Sequence, residues 1–357
     1  MSDGDEAFFD RLVDEDRLRS HLESALGPAD EFEVERHLDG QSNETLFVTW
    51  GNRDLVLRRP PPGETADTAH DVLREYTVME ALQETSVRVP TTVLPVEDED
   101  IIGSEFYLME REDGVVSRAE EPTQFAEPRH RETIGRELID TLTEIHNTDY
   151  EAAGLGEFGS PGGFTQRQVD RWESQYEWAF EVTETDRPVP HIDEVTSWLQ
   201  SNVPETYPHT LVHGDYKLDN VMFATGTPPE IAAVLDWELS TVGDPFTDLG
   251  WLLTFWPETT AETDIFGSPG GREFQLAEGY HSRDELVDYY ESWTGYTFRN
   301  ERFYRALAIY KIGALSEMFY RRYLEGNADN ETYPRMEERT VTLVDWARRI
   351  VNGEELA

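Results

Sequence analysis

The stretch LVHGDYKLDN, Leu211 to Asn220, decides how the rest of the chain is read. Ten positions hold His213, Asp215, Lys217, Asp219 and Asn220, just before a short apolar run, NVMF. Lysine is out of character here: of 30 basic residues only two, Lys217 and Lys311, are lysines. A polar loop closing a hairpin would have such a composition, because Asn and Asp bond their own backbone in turns. A chemical centre would have it too.

Sixteen residues beyond Asn220 a second apolar run, IAAVLD, ends at Asp236. If the two runs pair as a hairpin, Asn220 and Asp236 converge at one end of it, with Asp215 nearby. Oxygen ligands without Cys or His suit a hard cation such as Mg²⁺. A further carboxylate held beside the metal but off it can accept a hydroxyl proton. That set matches phosphoryl transfer from a nucleotide to an alcohol.

Composition narrows the field of functions. The formal net charge is −44, spread along all 357 residues, which repels nucleic acid and anionic membranes. An acidic, lysine-poor chain is the pattern of a salt-loving archaeon, and molar salt would screen its self-repulsion. There are no cysteines, so disulfides, thiolate metal sites and cysteine nucleophiles are excluded. No apolar stretch approaches 18 residues, and MSDGDEAFFD has no basic region followed by an apolar run, so a soluble cytoplasmic protein is expected. Oligomeric state is expected to be monomer or homodimer.

Patterning predicts two lobes. EFEVERHL, ETLFVTW and DLVLRR alternate apolar and polar residues and are separated by Asp39-Gly40 and Gly51-Asn52, a meander of antiparallel strands. A helix follows from about Thr65 to Leu82, then strand-like TTVLPVE and GSEFYLMERE. Beyond Gly114 helical spacing dominates: Arg131–Asn147, Thr165–Glu181, Asp193–Asn202, Arg283–Trp293, Asn300–Leu324 and Tyr333–Val351. The expected fold class is α+β: an N-terminal lobe over 1–112 (1–30 a helical extension) with an antiparallel sheet, and a larger, mostly helical lobe over 113–357. Pro257–His281, rich in Gly, Thr and acid, reads as a surface loop or lid.

HGD(x4)N, LDWE and GDPFTDLGW in this order resemble the aminoglycoside phosphotransferase family of kinase-like enzymes. The likeness is greatest to the branch found as a kinase-like domain attached to acyl-CoA dehydrogenases, and runs from about Val34 to Ala328. It extends to LDGQSN, VLRRPPPG, REYTVMEAL, RQVDRWESQYEWAF and FYRRYLEGNA. The resemblance implies a bilobal protein-kinase-like fold, ATP and Mg²⁺ as cofactors, and a small-molecule hydroxyl substrate. It makes Asp215 the catalytic base, Asn220 and Asp236 the magnesium ligands, and His213 the brace of the metal-binding loop. Asp248 is expected to support that loop structurally.

In the small lobe the resemblance puts Gly40, Ser42 and Asn43 in a hairpin over the phosphates. A cation on the third strand should meet the α- and β-phosphates. General kinases use lysine there; here alternation and the family's VLRR pattern select Arg58 over Arg59. Glu75, on the helical face with Val72 and Met79, is its expected partner. Backbone groups of Glu110 and Glu112 are expected to receive the adenine. Lys217 falls where a cation meets the transferred phosphoryl group.

The implied activity is a small-molecule kinase acting on a metabolite hydroxyl, and the branch resemblance points to that of a hydroxyacid or hydroxyacyl thioester. Alternatives are a nucleotide-binding pseudokinase, an aminoglycoside- or choline-type phosphotransferase, and a metal-dependent phosphohydrolase, which would want more metal ligands near Asp215. Trp172, Trp178, Phe180 and Trp251–Trp256 read as a possible apolar acceptor wall, and Arg321 and Arg322 as contacts for an anionic tail.

Overall fold

The structure is a computed structural model that describes residues 9, 11–37, 43–61, 72–118, 120–183, 187–265, 272–326 and 332–354. Gly40 and Ser42 lie outside the described residues. The chain divides into two compact units, Met1–Gly114 with Ala232–Ser240, and Val115–Ile231 with Thr241–Ala357.

The first unit opens with helix α1, Glu15–Leu26, capped where the Arg17 amide donates to Asp14 at 3.1 Å. Five strands follow: β1 Phe32–His37, β2 Glu44–Trp50, β3 Arg53–Arg59, β4 Thr92–Val96 and β5 Phe106–Glu110. They form one antiparallel sheet in the order β1-β2-β3-β5-β4. Gly51 takes φ +63° in the tight turn between β2 and β3. Helix α2, Val72–Leu82, precedes β4 and packs on β4 and β5.

Register assigns the two faces of this sheet. Leu46, Leu57 and Leu108 stand opposite one another on β2, β3 and β5, fully buried against Leu12, Leu18 and Leu22. Thr45, Arg58 and Tyr107 make the neighbouring row and point to the other face. Each buried leucine contributes about 2 kcal/mol. A one-residue slip would exchange that row for one containing Arg58, so the leucines lock the arginine's direction. Arg59 falls on the leucine side, buried, donating to the carbonyls of Leu12, Ile102 and Pro60.

In the second unit α3, Pro128–Asn147, begins three residues before the expected start because Pro128 takes a first-turn position whose N–H needs no partner. It is followed by α4 Phe164–Thr183 and α5 Ile192–Ser201. Strand β6, Thr210–Val212, pairs antiparallel with β9, Thr241–Gly243. Between them run β7, Val221–Phe223, and β8, Ile231–Val234, on which the division between the units falls. Helices α6 Phe246–Thr254, α7 Thr260–Ile265, α8 Arg283–Thr294, α9 Glu301–Leu324 and α10 Met336–Val351 complete it.

Helix α9 packs against α4, α6 and α10. A Cβ on Gly250 would meet Tyr304 at 2.7 Å, so only glycine lets α6 approach α9 this closely. Among the described residues no helix is long and apolar enough to cross a membrane.

The reading of Pro257–His281 as a surface loop is corrected. This segment holds α7 and a turn of 3₁₀ helix at Glu273–Leu276, with Glu262, Thr263, Arg272 and Gln275 buried. Arg283 draws it inward, donating to both carboxylate oxygens of Glu262 at 3.0 and 2.8 Å. Gly, Thr and acid suggested solvent because the Arg283 partner lies outside the segment and is invisible to local composition.

Candidate active site

The first unit gathers charge around Arg58. Its guanidinium donates to the Thr45 hydroxyl at 3.1 Å, the residue directly across β2, and to Asp236 Oδ1 at 3.3 Å. Glu75 Oε2 lies 3.6 Å away. Glu75 is buried on α2, and its Oε1 accepts the Trp237 amide at 3.2 Å. Burial disfavours the charged form of Arg58, but Glu75, Tyr107, Asp236 and Glu238 outweigh it and raise the guanidinium above its ordinary range. Burial pushes the Glu75 carboxyl up, and Arg58 pulls against it. The sequence-derived pairing of Arg58 with Glu75 is thus made, while Arg59 is taken up by backbone.

Asp236 stands at φ +67°, a conformation costly for a residue with a Cβ. That backbone turns LDWE out of β8, so that the Asp236 carboxylate meets Arg58 while the next amide caps Glu75. Asn43 donates to Glu238 Oε2 at 3.1 Å. Glu110, at the end of β5, is engaged by Arg53 at 2.6 Å, and half-buried Glu112 lies just beyond that strand.

The second unit builds a different centre on the loop leaving β6. His213 is wholly buried, and its Nδ1 accepts the Asp215 amide at 3.2 Å. Asp248 on α6 accepts the amides of His213 and Gly214 at 2.6 and 2.8 Å. Its Oδ2 also lies 3.3 Å from His146, which in turn reaches the Tyr290 hydroxyl at 2.7 Å. Burial would raise the Asp248 carboxyl, but the bonds and charge of His146 and His213 hold it below the ordinary carboxylate range. Gly214 at φ +86° bends the chain so that successive amides point at one carboxylate.

At the loop's apex Asp215 Oδ2 accepts from Lys217 and from Asn220 Nδ2, the latter at 2.7 Å. Oδ1 accepts the indole N–H of Trp251 at 2.7 Å. Burial pushes the Asp215 carboxyl up; Lys217, Lys311 and His213 outweigh it, so it is held below the usual carboxylate value, ionised. The Asn220 amide nitrogen also donates to the Asp215 carbonyl at 2.9 Å, so both of these bonds use its Nδ2 and neither uses its Oδ1.

The sequence reading gave two residues no place at Asp215: Trp251, read there as part of an acceptor wall, and Lys311. Trp251 lies one helical turn after Asp248, so the same face of α6 holds loop backbone with one residue and the carboxylate with the other. Lys311 of α9 donates to the Gly214 carbonyl at 2.8 Å and lies 3.9 Å over the Trp251 ring. The signal for Lys311 was present: it is the only other lysine in the chain.

The expected aromatic wall is only partly formed. Trp172 is buried, 5.6 Å from the Lys311 ammonium, whereas Trp178 is 40 % exposed and covered by Arg321 at 3.9 Å. Six positions apart on one helix, the two indoles point to different sides. Arg321 is further occupied by Glu325 at 2.8 Å, and Arg322 lies 5.9 Å from the Phe319 ring.

A five-stranded antiparallel unit, a helical unit and an HGD loop braced by an aspartate define a kinase-like α+β fold. Residues 33–286 match the phosphotransferase enzyme family (APH), and the chain belongs to that family. Rat acyl-CoA dehydrogenase family member 11 is 35 % identical over 84 % of this chain. The match covers only 37 % of the rat protein, so this chain spans well under half the length of the curated relatives it matches. A crystal structure from Ralstonia eutropha, assigned to the aminoglycoside phosphotransferases, aligns over 96 % of this chain and 99 % of its own. It does so at a TM-score of 0.81 and 30 % identity. The fold extends to APH(4)-Ia in ternary complex with AMP-PNP and hygromycin B, at a TM-score of 0.57 and 17 % identity. That alignment covers 92 % of this chain and 97 % of that one.

Proposed function

We propose that this protein is a small-molecule kinase that moves the γ-phosphoryl group of ATP onto a metabolite hydroxyl. The observation that carries the reading is Asp215: a carboxylate kept ionised by two lysine ammoniums, with its rotamer fixed by an indole. Oδ2 already receives two donors and Oδ1 only one, so Oδ1 has a lone pair for an alcohol proton. As the alcohol oxygen bonds to phosphorus and the bond to the nucleoside diphosphate breaks, that proton passes to Asp215. Lys217, bonded to the same carboxylate, offers a mobile positive charge to the phosphoryl oxygens.

The magnesium role stays with Asn220 and Asp236. Among the described residues no three His, Cys, Asp or Glu side chains cluster closely enough to hold a metal by themselves. Mg²⁺ takes one or two protein oxygens and completes its shell with phosphate and water. An ion taken by such oxygen donors would neutralise phosphate charge. The donors fit: Asn220 keeps its amide oxygen uncommitted, and Asp236 belongs to a group in which one guanidinium faces several carboxylates. Nucleotide use is supported by the AMP-PNP complex of the structural neighbour, and the phosphate cation in this reading is Arg58. Gly40, Ser42 and Asn43 are proposed for the phosphates, the first two from the sequence alone, and the backbone of Glu110 and Glu112 for the adenine. The dehydrogenase names of the longer relatives favour a hydroxyacid or hydroxyacyl thioester as acceptor.

The test is ADP release from Mg-ATP in molar KCl, screened over hydroxyacids, hydroxyacyl-CoAs, sugars, choline and aminoglycosides. One class should give saturable turnover that Asp215→Asn lowers by about 10³-fold without loss of ATP binding. An Asp215→Asn variant that turns over like wild type would overturn the assignment of the base.

A further inference from the structure

We propose that Lys311 and Trp251 are positioning residues for Asp215, Lys311 setting the peptide before it and Trp251 setting its carboxylate. The carbonyl of Gly214 and the amide of Asp215 belong to one rigid peptide plane. Lys311 Nζ holds the carbonyl end of that plane at 2.8 Å, and His213 Nδ1 holds the amide end at 3.2 Å. Asp248 holds the other side of Gly214 through its amide. Because Gly214 has no Cβ to restrict it, its φ of +86° is maintained from outside, by these three groups. Trp251 then fixes the side chain, donating to Oδ1 at 2.7 Å.

Lys311 is costly to the fold as a purely structural residue. It lies in a helix whose neighbours Ile309, Tyr310, Ile312 and Gly313 are buried, and its ammonium bonds a carbonyl rather than a carboxylate. Burial pulls its pKa down to about 8, with Asp215 and Asp248 opposing and Lys217 and Arg171 adding to the fall. The Trp251 ring, 3.9 Å from the ammonium, and the Trp172 ring at 5.6 Å recover part of that cost. Methionine has nearly the same length and would pack between the two indoles with no charge to bury. What methionine cannot do is hold the Gly214 carbonyl or place a positive charge beneath Asp215. The position therefore exchanges fold stability for control of the carboxylate.

The kinetic part of the test rests on the phosphotransfer reading; a spectroscopic part does not. In Lys311→Met and in Trp251→Phe, kcat should fall about 100-fold, the scale for a reacting group displaced by about 1 Å, while the KM for ATP stays within about twofold. The unfolding midpoint of Lys311→Met should equal or exceed that of wild type. In an Asp215→Asn background either change should cost under about threefold, because both act through that carboxylate. Losses that multiply in that background, or a Lys311→Met enzyme at wild-type kcat, would overturn the proposal. Without any substrate, the Trp251 indole N–H resonance of ¹⁵N-tryptophan-labelled protein should move in Lys311→Met and in Asp215→Asn, and the Lys311→Met shift should shrink in the Asp215→Asn background. A shift of equal size in both backgrounds is the direct effect of the ammonium 3.9 Å over the ring and overturns the proposal. An unmoved resonance in Lys311→Met overturns it as well. Should wild type transfer phosphate to no alcohol at all, the kinase reading fails and the resonance test still decides the positioning.

Discussion

The two charged centres of this molecule are built on opposite electrostatic plans. In the first unit one guanidinium, Arg58, faces Glu75, Asp236 and Glu238, so negative charge is in excess. In the second, two ammoniums, Lys217 and Lys311, act on the carboxylate of Asp215, while Asp248 is taken up by two backbone amides and His146, so at Asp215 itself cations outnumber carboxylates. The difference teaches what each centre lacks. A carboxylate-rich group favours a cation, and a cation-rich group favours an anion; in the proposed reading the first would be met by magnesium and the second by phosphoryl oxygens. The residue types follow the same division. The first centre uses a planar, permanently charged arginine in fixed pairs, and the second uses compact lysine point charges.

The contrast breaks most sharply at the two aspartates. Asp215→Asn should lower kcat by about 10³-fold or more with ATP affinity unchanged in calorimetry. Asp236→Asn should instead raise the magnesium concentration needed for half-maximal rate; equal metal dependence in the two variants would dissolve the distinction. Next in size is Arg58→Met, which strands Glu75, a carboxylate only 3 % exposed. A loss of about 3 kcal/mol in denaturant unfolding is expected, with a higher KM for ATP.

A smaller effect isolates the second unit. Asp244 accepts from Thr165, Tyr304 and the Phe246 amide, yet burial pushes its pKa up from 3.8 to about 6. The folded state therefore keeps a proton that the unfolded chain releases, and this group's contribution to stability falls as pH rises from about 4 to 6. Asp244→Asn should flatten that part of the stability–pH curve by about 2 kcal/mol relative to wild type, read from unfolding at a series of pH values. Smallest per residue is the surface term. With a net charge of −44, the thermal midpoint should climb by several degrees from dilute buffer to molar KCl. A salt-independent midpoint would show that the surface acid is neutral to folding.

Much of the fold was legible because alternation and helical spacing are local. Leu55 and Leu57 against Val56 and Arg58 fixed the faces of β3 before any partner strand was known. Glu75 stood out as a carboxylate on an apolar helical stripe, and HGD(x4)N with LDWE marked both charged centres. What escaped were contacts made across large sequence separations by residues whose types have ordinary uses. Trp251 reads as core in any apolar helix, and its indole N–H finds Asp215 only once α6 is turned toward the loop. Lys311 is 97 positions from the carbonyl it holds. Glu262 looked solvated until Arg283, 21 residues on, was placed beside it.

The pairing of both lysines with Asp215 also makes the chain chemically addressable. Every side-chain amine of the protein lies within this one centre, and that of Lys311, at a pKa of about 8, is nucleophilic under mild conditions. Apart from the α-amino group, an amine-selective electrophile therefore finds side-chain amines only in this centre. Occupancy of the centre can be followed by protection from labelling, and a lysine-specific protease would report the same two addresses as three fragments.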